Sequence, residues 1–355
     1  MRLFLTIGLI GSALQLHAQL VDGRTYVTDT TYSLQREYRK ILPQYPRLQL
    51  PVYPDAGSFR MQKDISYCST GNISLRLDVF QPAAGTTANG IALILLHGGG
   101  WRSGDKTLLQ PMAACLAIKG YTCFTPEYRL STHALYPAAV LDVKAAVQWV
   151  RANAASMQVD PQRIVIAGHS AGGQLAALAG ATNGLPVFEK TSCTTTASGL
   201  VQAVVNMDGI LAFLHPESGE GNDSLRTSAA TYWFGYPKHL RPDLWQEASP
   251  LTHVGAHTPP FLFFNSSVPR MRAGQDDFIQ ELNRFGIYSR VMQLERAPHS
   301  FALFQPWLDT VVQVTDEFLQ HVFVTQQRNH SFFIPGNIFL PYNNPALYQQ
   351  KPAFT

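Results

Sequence analysis

The stretch RIVIAGHSAGGQLAAL, residues 163–178, constrains this chain more than any other. The apolar run Ile164–Ala167 leads straight into Gly168, Ser170 and Gly172, and a small-residue apolar segment follows at once. An unbroken apolar strand needs cover on both faces, which in a sheet means parallel neighbours with helices above and below. A serine between two glycines at such a junction sits where strand and helix backbones cross too closely for a larger side chain. The turn lifts the hydroxyl above the sheet edge and aims the positive end of the next helix at the atom it attacks. Ser170 is therefore the candidate nucleophile.

The rest of the chain alternates in the same way. ISLRLDVF (73–80) alternates apolar and polar residues like a half-buried edge strand, and IALILLHGGG (91–100) reads as a doubly covered strand ending in glycines. LLQPMAACLAIKG suits a helix closed by Gly120, YTCFTPEYR a strand, and Pro137 opens a long helix with Val140, Val143, Val147 and Val150 on one face. LVQAVVNMDG, PFLFF and YSRVMQLE continue the strands. Helices follow, marked by Phe278, Leu282 and Phe285, then by Trp307, Val311, Val314, Phe318 and Val322. This pattern predicts one α/β domain with a mostly parallel central sheet and helices on both faces, over residues 63–323. Residues 210–258 lack that period and read as an insertion over the active site. Residues 19–62, with Pro43, Pro46, Pro51 and Pro54, read as an extended N-terminal arm, and 324–355 as an irregular, Pro- and aromatic-rich tail.

Chemistry in such sheets gathers beyond the C-terminal strand ends. LILLHGGGW ends one strand in three glycines whose backbone can approach a substrate and present N–H groups to a developing oxyanion. Gly99 and Gly100, with Ala171 after the nucleophile, are the candidate donors. HGGGW (97–101), PEYRL (126–130), YPAAVLDVKAAVQWV (136–150), GHSAGG (168–173) and PHSF (298–301) together resemble the α/β-hydrolase superfamily, in its esterase branch with an HGGG-type oxyanion loop. The resemblance implies a carboxylic ester hydrolase with a serine–histidine–acid triad and no cofactor or metal. It makes His299 the base, while His97 is expected to hold the glycine loop and His169 lies beside the nucleophile on its turn. His215, His239, His253 and His257 fall in the insertion and are candidates to line the site.

The acid is less obvious. The family usually carries it after the strand corresponding to 260–264, where this chain has Asn265, Ser266 and Ser267. A neutral Asn265 can orient an imidazole but cannot stabilise the imidazolium formed during attack. Asp208, directly after the preceding strand, is the first substitute and keeps the chain order Ser170, Asp208, His299. Asp276 and Asp277 are alternatives, although they also suit the first turn of a helix, where carboxylates favour the macrodipole. Glu217 stays open too, and Asp142, mid-helix, is expected to pair with a neighbouring loop.

Composition narrows the partners. Lys and Arg number 27 against 24 Asp and Glu, with no basic run, so a nucleic-acid partner is not expected. Arg2 followed by LFLTIGLIGSAL and LHA reads as a signal peptide over 1–18, too short to span a membrane, and implies a secreted or periplasmic protein. Cys68, Cys115, Cys123 and Cys193 fit no metal motif and allow either a disulfide or buried thiols. Sites for N-glycosylation stand at Asn72, Asn222, Asn265 and Asn329. A secreted enzyme of this branch resembles those that remove acetyl, feruloyl or methyl ester groups from plant polysaccharide. Arg270 and Arg272 of VPRMRAG are candidates to bind a uronate carboxylate, and the aromatics of TYWFGYP (231–237) either stack on sugars or pack in the core. A serine peptidase of the same fold, which usually carries an added propeller domain, and a non-catalytic binding protein derived from the fold remain as rival readings.

Overall fold

The computed structural model describes residues 20–325, apart from 56, 192, 194 and 195. The expected signal segment and residues 326–355 of the expected tail, with Asn329, lie outside the described residues. Eight strands form one sheet: β1 (Phe59–Thr70), β2 (Ile73–Pro82), β3 (Ala92–Leu96), β4 (Thr122–Pro126), β5 (Ile164–His169), β6 (Ala203–Met207), β7 (Phe261–Asn265) and β8 (Ser289–Gln293). Their spatial order is β1-β2-β4-β3-β5-β6-β7-β8; the six strands from β4 to β8 run parallel, and β2 is antiparallel to both β1 and β4.

The helices are α1 (Leu34–Ile41), α2 (Gln110–Ala117), α3 (Ala138–Ala152), α4 (Ala171–Ala181), α5 (Pro186–Glu189), α6 (Ala229–Phe234), α7 (Pro242–Glu247), α8 (Gln275–Arg284) and α9 (Trp307–Gln320). Strand alternation splits the core in two. In β3, Ala92, Ile94 and Leu96 join a cluster with the apolar faces of α3, α4 and α8, while Leu93 and Leu95 face a second cluster with α2 and α9. All five residues of β3 are buried, as a doubly covered strand requires.

Two expectations need correction. The segment 73–80 is not an edge strand, because β1 pairs along its outer side and buries its second half. The polar sequence FRMQKDISYCST belongs to the true edge, where charged residues discourage further strand pairing. The arm is not extended throughout: Ser33 caps α1 by accepting from the Arg36 N–H, and Ile41 and Leu48 join the second core cluster. The arm also ties down the top of the sheet. The Val21 N–H donates to the Gly235 carbonyl, and Gln49 bridges to Gln305.

A disulfide joins Cys68 on β1 to Cys193 beyond α5, with Cα atoms 5.5 Å apart, while Cys115 and Cys123 are free thiols. No described helix is long and apolar enough to cross a membrane.

Candidate active site

Ser170 follows β5 and opens α4 with φ at 56° and ψ at −120°, a positive-φ conformation that costs a non-glycine residue energy. The flanking glycines are sterically required. A Cβ on Gly168 would lie 2.1 Å from the Gly172 carbonyl oxygen, and one on Gly172 would lie 2.2 Å from the Leu96 oxygen at the end of β3. The Ser170 N–H donates to the Met207 carbonyl at 2.8 Å, fixing the turn on the neighbouring strand.

Register then lines up the candidates. His169 pairs with Met207, and Met207 with Phe264, so Ser170, Asp208 and Asn265 occupy equivalent places at three adjacent strand ends. His299 arrives from the loop after β8. Its Nε2 lies 2.8 Å from Ser170 Oγ and its Nδ1 lies 2.8 Å from Asp208 Oδ2. With the Nδ1–H donated to the carboxylate, Nε2 is left to accept the serine hydroxyl proton. The Asp208 side chain is only 1% exposed, and its Oδ1 accepts the Ser266 N–H at 2.9 Å. The loop after β7 therefore contributes a backbone donor to the carboxylate rather than a carboxylate of its own.

The other acids are elsewhere. Asp276 and Asp277 are exposed in the first turn of α8, with Asp277 3.4 Å from His215 Nε2, and neither bonds His299. Glu217 accepts the Gly274 N–H, and buried Asp142 is clasped by the Arg129 guanidinium.

Two buried imidazoles brace the loops. His169 donates its Nε2–H to the His299 carbonyl at 2.7 Å, so the residue before Ser170 positions the segment that carries His299. Burial, then the neighbouring His299, push its pKa down to about 4, which keeps it neutral. His97 donates from Nδ1 to the Gly98 carbonyl at 2.8 Å and stacks on Tyr128, whose hydroxyl donates to the His97 carbonyl at 2.8 Å. Burial pushes His97 down to about 4 as well. Trp101 ends the glycine run. Its indole N–H donates to Gln174 at 2.9 Å, and its ring stacks on Trp233 of the insertion, 4.8 Å away. Among the described residues, the N–H groups of Gly99, Gly100 and Ala171 have no protein acceptor.

The family model BD-FAE matches residues 77–271, more than half of the chain. The chain belongs to the BD-FAE family. Among curated relatives of this BD-FAE chain, the Mycobacterium tuberculosis protein named "Probable carboxylic ester hydrolase LipM" is 29% identical over 300 residues, 82% of this chain and 67% of that one. Esterase LipC of the same organism is 32% identical over 195 residues, 54% of this chain and 47% of LipC. Among solved structures, a truncated carbohydrate esterase from gut microbiota aligns at a TM-score of 0.63 and 22% identity, covering 76% of this chain and all of that one. An esterase of Thermogutta terrifontis aligns at 0.60 and 25%, covering 76% and 96%. The fold and the broad activity agree: this BD-FAE chain is an ester hydrolase of α/β-hydrolase fold.

A cavity of about 650 Å³ opens over Ser170 and His299, with Gly100, Ala171 and Trp101 in one wall and the insertion in another. The structure brings Arg270 to this cavity but not Arg272, which is exposed and donates to Gln293 instead. The insertion histidines do not line it either. His215 sits by Glu217 and Asp277, His253 and His257 bond backbone carbonyls, and His239 is exposed. Of TYWFGYP, Trp233 and Phe234 are core, packed with Phe213 and Trp245, while Tyr232 alone faces the cavity. Arg226 also lines it, and no local pattern singles it out; a lone arginine in a polar loop carries no signal of where the loop folds.

Proposed function

We propose that the protein is a serine carboxylesterase that removes ester substituents, acetyl, feruloyl or methyl, from plant polysaccharide outside the cytoplasm. The observation that carries the mechanism is the unbroken chain from Ser170 Oγ to His299 to Asp208, each step 2.8 Å, at the floor of an open cavity. His299 takes the Ser170 proton as Oγ bonds to the ester carbonyl carbon, and Asp208 stabilises the imidazolium that forms. The N–H groups of Gly99, Gly100 and Ala171 receive the oxyanion. Collapse of the tetrahedral intermediate expels the alcohol, which takes the proton from His299 and leaves Ser170 acylated. Water, deprotonated by His299, then attacks the acyl-enzyme; the acid leaves and Ser170 recovers its proton.

Three features support the finer reading. The cavity wall offers Asn222, Thr227, Ser228 and the Tyr232 ring, the polar groups and aromatic face that a sugar needs. The related Thermogutta terrifontis esterase was solved with propionate bound, which fits a short acyl group. A disulfide at Cys68–Cys193 suits an oxidising compartment, as does the leader-like start.

Labelling with a fluorophosphonate probe tests the mechanism: Ser170 should react, and Ser170→Ala should not. Methanol, acetate and ferulate release from pectin and xylan tests the substrate. An intact protein that resists the probe refutes the mechanism and favours a binding protein. A labelled enzyme that releases none of the three refutes the polysaccharide assignment alone.

A further inference from the structure

The cavity above Ser170 is positively charged in a way the hydrolytic reaction does not require. Among the described residues three arginines line it, Arg102 from the loop after β3, Arg226 from the insertion and Arg270 from the loop after β7, and the one carboxylate among those lining residues is Glu220. Two of the three are engaged. Arg102 donates to the Gly23 carbonyl at 3.0 Å, pairs with Asp29 at 4.0 Å and lies 4.5 Å over the Tyr232 ring, and Arg270 pairs with Glu220 at 3.1 Å. Arg226 makes no hydrogen bond or ion pair with any described residue. Exposed arginines often lack partners at a surface, where that means nothing. This one stands in the same cavity as Ser170 and His299, where Arg102 is offset by Asp29 and Arg270 by Glu220, so Arg226 supplies the surplus positive charge.

We propose that Arg226 holds a free carboxylate on the substrate, with Arg270 as a second cation, so that the preferred substrates are acyl esters on acidic sugars of the uronate class. This rests on the esterase reading above. A guanidinium presents two parallel N–H donors that match the two oxygens of a carboxylate, giving both charge and orientation. The carboxylate lies on the alcohol part, remote from the reacting carbonyl, so the contact is made equally in the bound substrate and in the transition state. Its loss therefore falls on KM rather than kcat. The surplus positive charge also draws acidic substrates to the cavity mouth, an effect that salt weakens.

Two acetylated methyl glycosides that differ only at C6 test this, a glucuronide with a free carboxylate and the matching glucoside. Wild type should favour the glucuronide in kcat/KM by ~10-fold or more, the range of a charge-assisted hydrogen bond. Arg226→Ala should bring that ratio close to one through a higher glucuronide KM. Arg226→Lys should keep part of it, and Arg272→Ala, which removes an equal charge away from the cavity, should keep all of it. Equal wild-type rates on the two glycosides, or a glucuronide KM within twofold of wild type in Arg226→Ala, overturn the proposal. Hydrolysis of 4-nitrophenyl acetate by wild type separates the two levels. Where it proceeds and no acidic preference is seen, this inference alone fails; where it does not proceed and Ser170 resists the probe, the esterase reading fails and takes this one with it.

Discussion

Replacing Asp208 by Asn is the sharpest test of where the acid sits. The carboxylate has two oxygens and two donors, the Ser266 N–H at 2.9 Å on one and the His299 Nδ1–H at 2.8 Å on the other. An amide has one oxygen. If it serves Ser266, the NH2 faces His299, which must then accept at Nδ1 and carry its proton on Nε2, where it can no longer take one from Ser170. If it serves His299, the buried Ser266 N–H faces an NH2 and goes unpaired, at a cost of about 1–3 kcal/mol. Either way the imidazolium loses its counter-charge. At roughly 4 Å between charge centres and an effective dielectric of about 20, that attraction is about 4 kcal/mol. The combined effect predicts a drop in kcat of about 10³–10⁴. The assay is 4-nitrophenyl acetate hydrolysis from pH 6 to 9, with circular dichroism to show that the variant is folded. Asp276→Asn and Asp277→Asn, both exposed on α8, should stay within about twofold of wild type, since exposed surface changes have small effects. Asp208→Asn retaining more than a tenth of wild-type activity, or Asp277→Asn losing more than it does, would refute the assignment.

Two further expectations follow from the frame around the site. His97 and His169 are buried and neutral, with pKa values pushed from 6.5 down to about 4. The unfolded chain binds protons at both below pH 6.5 and the folded chain does not until about pH 4, so their share of stability is whole above 6.5 and falls as pH drops through that window. The loss amounts to about 3 kcal/mol for each by pH 4, and urea midpoints that stay level from pH 7 to 5 would contradict it. The Cys68–Cys193 disulfide closes a separation of 125 residues, so Cys193→Ser should cost about 2–4 kcal/mol in urea denaturation. Denatured, unreduced protein should titrate for two thiols, Cys115 and Cys123, and a titre of four would remove the disulfide.

What could be read from sequence follows the range of the interactions involved. Ser170 and the glycines around it are fixed by steric demands within five residues, and those demands appear unchanged in the contacts that Gly168 and Gly172 forbid. The strand order is less local. ISLRLDVF has the alternation of an edge strand, and only the pairing of β1 along its outer side decides otherwise. α1 was hidden by the prolines that follow it, although Ser33 is a good cap. The arginines show the limit most clearly. Arg270 and Arg272 are two residues apart on one short turn, yet one faces the cavity and the other the solvent beside Gln293. Arg226 depends on how an insertion without periodicity folds back over Ser170. Its aromatics, which also suit a sugar platform, are mostly consumed in a core of Trp101, Phe213, Trp233, Phe234 and Trp245 that anchors the glycine loop.

The proposed position of the acid has a geometric reason. Adjacent strands lie about 4.8 Å apart, close to the reach of an aspartate side chain. A carboxylate placed one strand nearer the nucleophile can therefore meet the same imidazole if its backbone turns toward it. Asp208 makes that turn with φ at 54°, a conformation that aspartate tolerates better than most residues, and its N–H is held by the Phe264 carbonyl of β7. The shift changes what the loop after β7 is for. Ser266 supplies one N–H to the relocated carboxylate, and the residues beyond no longer have to deliver an acid to His299. They are free to run as a short turn over Pro269–Arg272 that brings Arg270 to the cavity that Arg226 also lines. A fixed negative charge in that loop would partly cancel the arginines it faces. With the proposed acid on β6, buried and held by two donors, the loop after β7 carries no carboxylate of its own to offset the arginines of the cavity.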